Sequence, residues 1–473
     1  MSVRHDMCSN GKEMDSGKFM IDESRFTNLL AVTSVATYVL IVVGATVSVA
    51  DLTATCGTWP TCDGSLFVLP GDEAFVAWGH RLAALVAGVL LAASAAASFF
   101  VDTPRRLRLV LAAALVLYPA QVAIGGVTVL SGQEFLPVVH LAVAMVIFTF
   151  TLVALTWSLE RNAGEGEVET EKKTAEPEPT EAEAPTSTFR AYLDMTKPRL
   201  MWLLCLVAVA GMALAVAGGG SIPLPTAAAT LFGGCLAIGA SGTFNHVIER
   251  DRDRRMARTA DRPMANDAVP VRNAVAFGVA LAVASAAVVV AFVNVLAAAL
   301  TMLAIVFYTV VYTVILKPHT DQNVVIGGAV GALPALIGWA AVEGNVGVPA
   351  LVLGGVIFLW TPAHFYNLAL VYKDDYERAD IPMLPVVRGD QTTLRHINLY
   401  FGATLLSTSL LAYVADLGWA FSGVTVAAGA VFLYFVVRLH RERTSAAAMR
   451  AFHSSNAFLG SVMLVLAVET FLL

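Results

Sequence analysis

Acidic, amide and basic side chains recur at regular spacing in residues 245–263, which read NHVIERDRDRRMARTADRP and follow an apolar stretch. Asn245, Glu249 and Asp253 are four residues apart, so a helix would place these oxygen ligands for a divalent cation along one face. Arginines with the same spacing lie on a neighbouring face, where guanidinium groups can bind phosphate. They are Arg250, Arg254, Arg258 and Arg262. The pattern predicts a site at a membrane helix end where Mg²⁺ bridges carboxylates to a diphosphate.

The stretch also resembles a known family signature. A simpler interpretation is a basic loop flanking a membrane helix, with acidic residues that only offset its arginines. The N-x-x-x-E-x-x-x-D spacing and the closing R-T-x-x-R-P favour a binding site instead. The stretch resembles the first signature of the UbiA-type intramembrane prenyltransferases, in the form found in the protohaem IX farnesyltransferase (haem O synthase) branch. Glu249 stands where that family usually carries Asp, and its longer side chain can still reach a metal ion.

A second basic motif reads YTVILKPHTDQN and begins at Tyr312. It is similar to the family motif Y-x-x-x-L-K-R-x-T, which Tyr312, Lys317 and Thr320 match, while Pro318 replaces a basic residue. The resemblance implies that Lys317 binds the diphosphate, and anchoring of a helix end is the alternative. His319 beside it is a candidate cofactor-binding residue.

A third motif occupies residues 360–389, where an apolar stretch is followed by Lys373, Asp374 and Asp375. These three residues resemble the second acidic signature of the same superfamily, which implies that Asp375 is a further metal ligand. The pieces H-F and D-Y-x-x-A-x-I-P-M-L-P-V are those of the haem-modifying branch, and they are the strongest indication of the substrate. Asp380 stands where the family usually has Gly.

His364 lies within the apolar part of this third motif. An ionisable residue inside the membrane is a candidate functional group. We therefore place His364 near the haem, as an axial or propionate contact. A structural histidine that is hydrogen-bonded to a neighbouring helix is the alternative.

The resemblance implies transfer of farnesyl from farnesyl diphosphate to a vinyl group of protohaem IX. Mg²⁺ and the cations Arg258, Arg262 and Lys317 would stabilise the leaving diphosphate. The farnesyl carbocation would form in an apolar bundle, a haem vinyl group would attack it, and water would complete a hydroxyethylfarnesyl side chain. The expected partners are both substrates and membrane lipid, with haem A synthase as a candidate protein partner and no nucleic acid.

Composition predicts the class of fold. The chain has 473 residues, of which 57% are hydrophobic and 14% charged, whereas soluble domains carry roughly 25% charged residues. Many apolar stretches approach the roughly 18 residues that span a bilayer. We predict an all-α polytopic membrane protein with about 13 transmembrane helices, arranged as a four-helix bundle followed by a nine-helix UbiA-type bundle.

Four regions follow from the distribution of these spans. Residues 1–27 are predicted as a cytoplasmic tail, 28–159 as the four-helix domain, 160–189 as an acidic linker and 190–473 as the transferase domain. The linker is rich in Glu, Pro, Thr and Ala, so it reads as a disordered tether with little to bury. The predicted spans lie near 28–50, 78–100, 107–130, 136–158, 199–217, 226–247, 272–292, 294–316, 324–342, 348–371, 397–414, 418–438 and 455–472.

The N-terminal region carries a weaker pattern. His80 and His140 would enter the second and fourth spans from the same side at equal depth, so both imidazoles could bind one haem iron. Cys56 and Cys62 lie in an outer loop, TCGTWPTC, where a disulfide can persist. This loop, the H-R pair and the GGVTVL stretch resemble one half of haem A synthase. That family has two such halves and a Glu where this chain has Ala77.

Because only one half is present, we predict a second haem site or haem delivery there and no haem A synthesis. A remnant whose histidines only pack is the alternative. For the whole chain, the rival functions are a prenyltransferase acting on a quinone precursor or another lipid, a transporter with intramembrane acids, and a b-type haem redox protein.

Lysine and arginine fall in alternate loops, which predicts a multi-pass protein of the cell membrane with the N-terminus and the prenyl-transfer site in the cytoplasm.

In a background that lacks the five native cysteines, we expect Gln133→Cys to react with an impermeant maleimide in intact cells. Arg255→Cys should react only after permeabilisation. The reverse labelling pattern would contradict this orientation.

Overall fold

The structure is a computed structural model that describes residues 22–50, 52–70, 74–133, 135–162, 167–169, 187–217 and 219–472. Across these residues the regular secondary structure is helical, and the only strand-like contacts are two isolated bridges. Thirteen helices in the described part are long and apolar enough to cross a membrane. Helices predominate because a chain in lipid must satisfy its own backbone hydrogen bonds. The all-α membrane fold is therefore confirmed.

The first bundle contains helices α1 to α4, in which α1 packs on α2 and α4 while α3 packs on α4. They span Glu23–Val49, Ala74–Ala97, Arg105–Ser131 and Leu136–Asn162. α1 begins earlier than the predicted 28, because the Asp22 carboxylate caps it by accepting the Ser24 amide at 3.2 Å. Of the predicted tail, residues 1–21 lie outside the described residues.

The second bundle begins with a short helix, α5, and contains nine candidate spans. Its first half is α5 Thr188–Met195, α6 Pro198–Ala215, α7 Leu224–Asp253, α8 Val271–Phe292, α9 Val295–Val306, the π-helix Phe307–Leu316 and α10 Lys317–His319. Its second half is α11 Asn323–Glu343, α12 Val348–Val371, α13 Lys373–Arg378, α14 Leu384–Val414, α15 Trp419–Glu442 and α16 Ser445–Leu472.

Two helices begin well before their predicted spans. α14 begins at Leu384 rather than near 397, and α16 begins at Ser445 rather than near 455. Hydropathy marks only the apolar part of a helix, whereas polar residues continue the same helix beyond the lipid. Within α14, Gly389 has a φ of 78°, so the chain kinks there at a position that suits glycine.

Small residues allow α6 and α11 to cross closely. A Cβ atom at Gly338 would lie 2.9 Å from the carbonyl carbon of Ala208 and 3.0 Å from the amide nitrogen of Met212. A Cβ atom at Gly211 would lie 3.1 Å from the carbonyl carbon of Ala335. Close backbone approach through glycine is a common way for membrane helices to associate.

The two bundles share one hydrophobic core in which α1 and α4 pack against α14 and α15. Polar contacts cross this boundary. The buried Asn398 donates to the Thr156 hydroxyl at 2.5 Å, and the partly exposed Arg395 pairs with the buried Glu160. Residues 160–162 continue α4, and 188–189 already belong to α5, so both ends of the predicted linker are helical. Residues 163–166 and 170–186 lie outside the described residues.

The glycine crossing predicts that Gly338→Ala lowers the free energy of unfolding by about 1–3 kcal/mol, since the added methyl group meets backbone atoms that cannot move aside. Gly234→Ala on α7 is the matched control, because a Cβ atom there would meet nothing within 4 Å. Thermal unfolding in detergent checks the pair, and equal melting temperatures would rule out a tight crossing at Gly338.

Candidate active site

The end of α7 carries the predicted cluster. Because α7 is unbroken to Asp253, Asn245, Glu249 and Asp253 share one face, as their spacing predicts. All three are buried, with exposed fractions of 2%, 2% and 0%. A buried carboxylate is stable only when a cation or several hydrogen-bond donors neutralise it.

Two sequence-predicted cations bind these carboxylates. Lys317 Nζ lies 2.6 Å from Glu249 Oε1. Arg262 reaches both Asp253 oxygens with one guanidinium nitrogen, at 2.9 and 3.0 Å. Removal of one member of such a buried pair usually costs about 3–5 kcal/mol, because the other charge is left uncompensated. The pairs therefore fix both acidic side chains.

Lys197 is a cation of this site that the sequence did not reveal. Its Nζ lies 2.5 Å from Asn245 Oδ1 and 3.2 Å from the Tyr308 hydroxyl oxygen. The Asn245 amide nitrogen donates to Thr313 Oγ1 at 3.2 Å, which fixes the orientation of the amide. Tyr308 and Thr313 both belong to the π-helix, a conformation often found at functional sites. In the sequence, Lys197 precedes Pro198 at a span boundary, where it looks like an ordinary loop cation.

The arginines do not continue along one helical face, so that prediction is wrong beyond Asp253. α7 ends there, because the Asp253 carbonyl accepts the Met256 amide at 3.2 Å and the Thr259 hydroxyl at 3.1 Å. The chain then turns through residues 254–267. Arg262 folds back to the site, whereas Arg254 pairs with Asp267 at 2.7 Å on the surface.

Asp375 joins the loops of the first and third motifs. Its carboxylate accepts the amides of Ala257 and Arg258 at 3.0 and 3.1 Å and pairs with Arg378. The Arg258 guanidinium lies over the Tyr372 ring, 4.5 Å from its centroid. These contacts hold Arg258 against the third-motif loop.

Other contacts reinforce this junction. Arg258 donates to the Tyr376 hydroxyl at 3.3 Å. Arg255 pairs with Asp380 at 2.6 Å. Asp380 has a φ of 52°, the left-handed region that glycine tolerates best, which gives a physical reason for the glycine usual at this position in the family.

The structure does not bring Asp375 into one metal-binding group with Glu249 and Asp253. Among the described residues, no cluster of three or more His, Cys, Asp or Glu side chains could hold a metal ion. Lys373 binds Asp390 at 3.1 Å and Glu167 at 3.4 Å. Asp374 is exposed.

The two histidines near these motifs differ in environment. His319 is exposed, with Nδ1 2.7 Å from the Ile315 carbonyl oxygen. The half-buried His364 ring stacks between Trp360 and Phe452, with centroids 4.2 and 4.4 Å away. Its Nδ1 lies 2.7 Å from Ser455 Oγ on the neighbouring α16. A hydrogen bond to a neighbouring helix is what we expect if His364 has a structural role instead of contacting the haem.

A cavity of about 660 Å³ lies in the first bundle, and both His80 and His140 line it. Each ring packs against a glycine: a Cβ atom at Gly44 or Gly125 would lie 2.9 Å from Cε1 of His80 or His140, respectively. The Nδ1 atom of each ring is buried without a hydrogen-bond partner.

A disulfide-closed loop covers this cavity. Cys56 and Cys62 form a disulfide bond that closes this loop. Arg81 donates to four carbonyl oxygens of the loop, those of Cys56, Thr58, Pro60 and Thr61, at 3.1, 2.8, 3.4 and 2.6 Å. Trp59 and Pro60 of the loop line the cavity.

Comparison with known families matches both parts of the chain. The UbiA prenyltransferase family matches residues 204–462, and the cytochrome oxidase assembly protein family (COX15-CtaA) matches residues 70–181. The second match supports the resemblance of the N-terminal half to haem A synthase. A solved UbiA homolog from Archaeoglobus fulgidus, bound to GPP and Mg²⁺, is 17% identical, with a TM-score of 0.45 over 59% of this chain and all of its own.

Two relatives match almost the whole chain. Protoheme IX farnesyltransferase of Halobacterium salinarum is 50% identical over 451 residues, which cover 94% of this chain and 98% of the relative. Protoheme IX farnesyltransferase 1 of Natronomonas pharaonis is 53% identical over 457 residues, with the same coverage of each chain. This chain therefore belongs to the UbiA prenyltransferase family, in the branch of the protoheme IX farnesyltransferases.

Proposed function

We propose that this chain transfers the farnesyl group of farnesyl diphosphate to a vinyl group of protohaem IX, at a site on the cytoplasmic side of the cell membrane. The observation that carries the proposal is the buried cluster at the end of α7. There, Lys317 and Arg262 pair with two carboxylates, and Lys197 binds the amide oxygen of the neighbouring Asn245. The names of the near-full-length relatives support the choice of haem as acceptor.

The donor set fits Mg²⁺. Asn245, Glu249 and Asp253 offer hard oxygen ligands along one helix face. Mg²⁺ is usually held by one or two carboxylates together with substrate phosphates, so a metal ion that arrives with the diphosphate needs no third acidic ligand. We assign Glu249 and Asp253 to the metal ion, with Asn245 beside them. When bound, Mg²⁺ would neutralise the diphosphate as a leaving group.

The cations act by exchanging partners. In this structure Lys317 and Arg262 neutralise Glu249 and Asp253. A metal ion on the two carboxylates would take over that role, which would leave both cations and Lys197 to bind diphosphate oxygens. The negative charge of the diphosphate would then stabilise the buried positive charges in place of the two carboxylates.

The reaction needs little other side-chain chemistry. The allylic C–O bond breaks, and diphosphate leaves with the electron pair. The stacked rings of Tyr308 and Tyr312, 5.6 Å apart, present aromatic faces that can stabilise a nearby cation. The vinyl electron pair of the haem then forms the C–C bond, and water captures the resulting cation and releases a proton.

This assignment predicts that Asp253→Asn lowers the kcat of farnesyl transfer by about two orders of magnitude or more, because the metal ion and Arg262 would both lose their partner. Asp251→Asn is the matched control, since its carboxylate lies on the same helix and is 72% exposed. Mass spectrometry of the haems after incubation with protohaem, farnesyl diphosphate and Mg²⁺ gives the readout.

Equal activity of the two variants would refute the site. Unmodified haem together with a prenylated quinone precursor would replace haem with the rival acceptor. Ion flux coupled to a substrate, without diphosphate release, would indicate the transporter.

A second candidate function is haem binding in the first bundle. The cavity is lined by His80 and His140, and the Nδ1 atom of each imidazole has no hydrogen-bond partner, which fits a b-type haem iron that two histidines would hold. Such a haem would supply one-electron redox chemistry.

We expect purified full-length protein to show a low-spin, six-coordinate haem spectrum that His80→Ala and His140→Ala each convert to a five-coordinate spectrum. His453→Ala is the control, because His453 is exposed on α16. An unchanged spectrum in both cavity variants would show that the histidines only pack.

A further inference from the structure

Three residues of the acidic linker, 167–169, lie against α14 and the turn before α16. Val168 is only 5% exposed, and its amide donates to Asp390 Oδ2 at 2.7 Å. The Glu169 amide donates to the Arg443 carbonyl at 2.8 Å, and the Ser445 amide donates to the Glu169 carbonyl at 3.2 Å. A free tether would not bury an apolar side chain or make paired backbone hydrogen bonds, so this segment is docked.

Docking of this segment extends to Lys373. Glu167 Oε1 lies 3.4 Å from Lys373 Nζ, and the same nitrogen lies 3.1 Å from Asp390 Oδ1. Burial disfavours the charge of Lys373, but the hydrogen bond and negative charge of Asp390 and the charge of Glu167 outweigh it and raise the pKa of Lys373. Lys373 therefore stays charged and ties the segment to the start of α13.

From α13 the contacts lead to the prenyl-transfer site. Asp375 lies in the first turn of α13 and accepts the amides of Ala257 and Arg258. Tyr372, immediately before α13, packs under the Arg258 guanidinium. A displacement of Lys373 would thus move the two groups that hold Arg258.

We propose that residues 167–169 position the segment 372–380, which contains α13, and through it Arg258 for binding of the prenyl diphosphate. Glu167 and Val168 are positioning residues, and Lys373 serves this docking rather than the diphosphate. Residues 167–169 of the linker between the two bundles then contribute indirectly to the transferase site. The effect on catalysis rests on the proposed prenyl transfer, whereas the structural coupling does not.

Hydrogen exchange of the full chain tests the coupling without turnover. In Val168→Asp the new carboxylate would lie beside Asp390, which should undock the segment and speed amide exchange in peptides covering 257–258 and 375–380 by about ten-fold or more. Val168→Ile is the matched control and should exchange like wild type. Val168→Ala is a milder change and should give an intermediate exchange rate. It keeps the test valid where the Asp variant folds poorly. Wild-type exchange in both the Asp and Ala variants would overturn the proposal.

A double-mutant cycle with farnesyl diphosphate tests the catalytic consequence. Val168→Asp should raise KM several-fold with a smaller change in kcat, and it should have no further effect on KM in an Arg258→Ala background. Additive effects would show that the segment does not act through Arg258. If wild type makes no farnesylated haem, the proposed function fails, while the exchange result still decides the docking.

Discussion

Burial of two carboxylates at the end of α7 is the constraint on which the transferase site depends. Glu249 and Asp253 are inside the bundle, where an uncompensated negative charge is very costly. The protein meets this constraint with cations from separate parts of the chain: Lys317 follows the π-helix, and Arg262 folds back from a loop. Because each acid is paired with a cation from a distant part of the chain, the packing of this site depends on the two ion pairs.

Several features of the backbone serve this cluster. The π-helix brings Tyr308 and Thr313 to Lys197 and Asn245. The end of α7 at Asp253 lets the following residues turn, which is why Arg262 returns to the acidic face. Asp375 then accepts backbone amides from that turn. The first and third motifs are thus one structural unit, held by contacts between loops that are far apart in sequence.

The fused N-terminal bundle is integrated into the transferase rather than appended to it. Its α1 and α4 share a core with α14 and α15, and buried polar pairs such as Asn398 with Thr156 fix the register between them. Its cavity is lined by His80 and His140, whose rings pack against glycines. The same chain therefore offers two chemically different sites, one lined by cations and carboxylates and one by imidazoles and apolar side chains.

The sequence by itself determined the membrane class, the number of spans and the acidic face of α7, because hydropathy and four-residue spacing are local properties of a helix. It also indicated Lys317 and Arg262, whose motifs are specific to the family. It could not identify Lys197, since a lysine before a proline at a span boundary looks the same whether it points to water or into the bundle. Nor could it separate Asp375 from Glu249 and Asp253, or show that Val168 is buried. Those outcomes depend on which loops meet in space, and only the tertiary packing of the helices decides that.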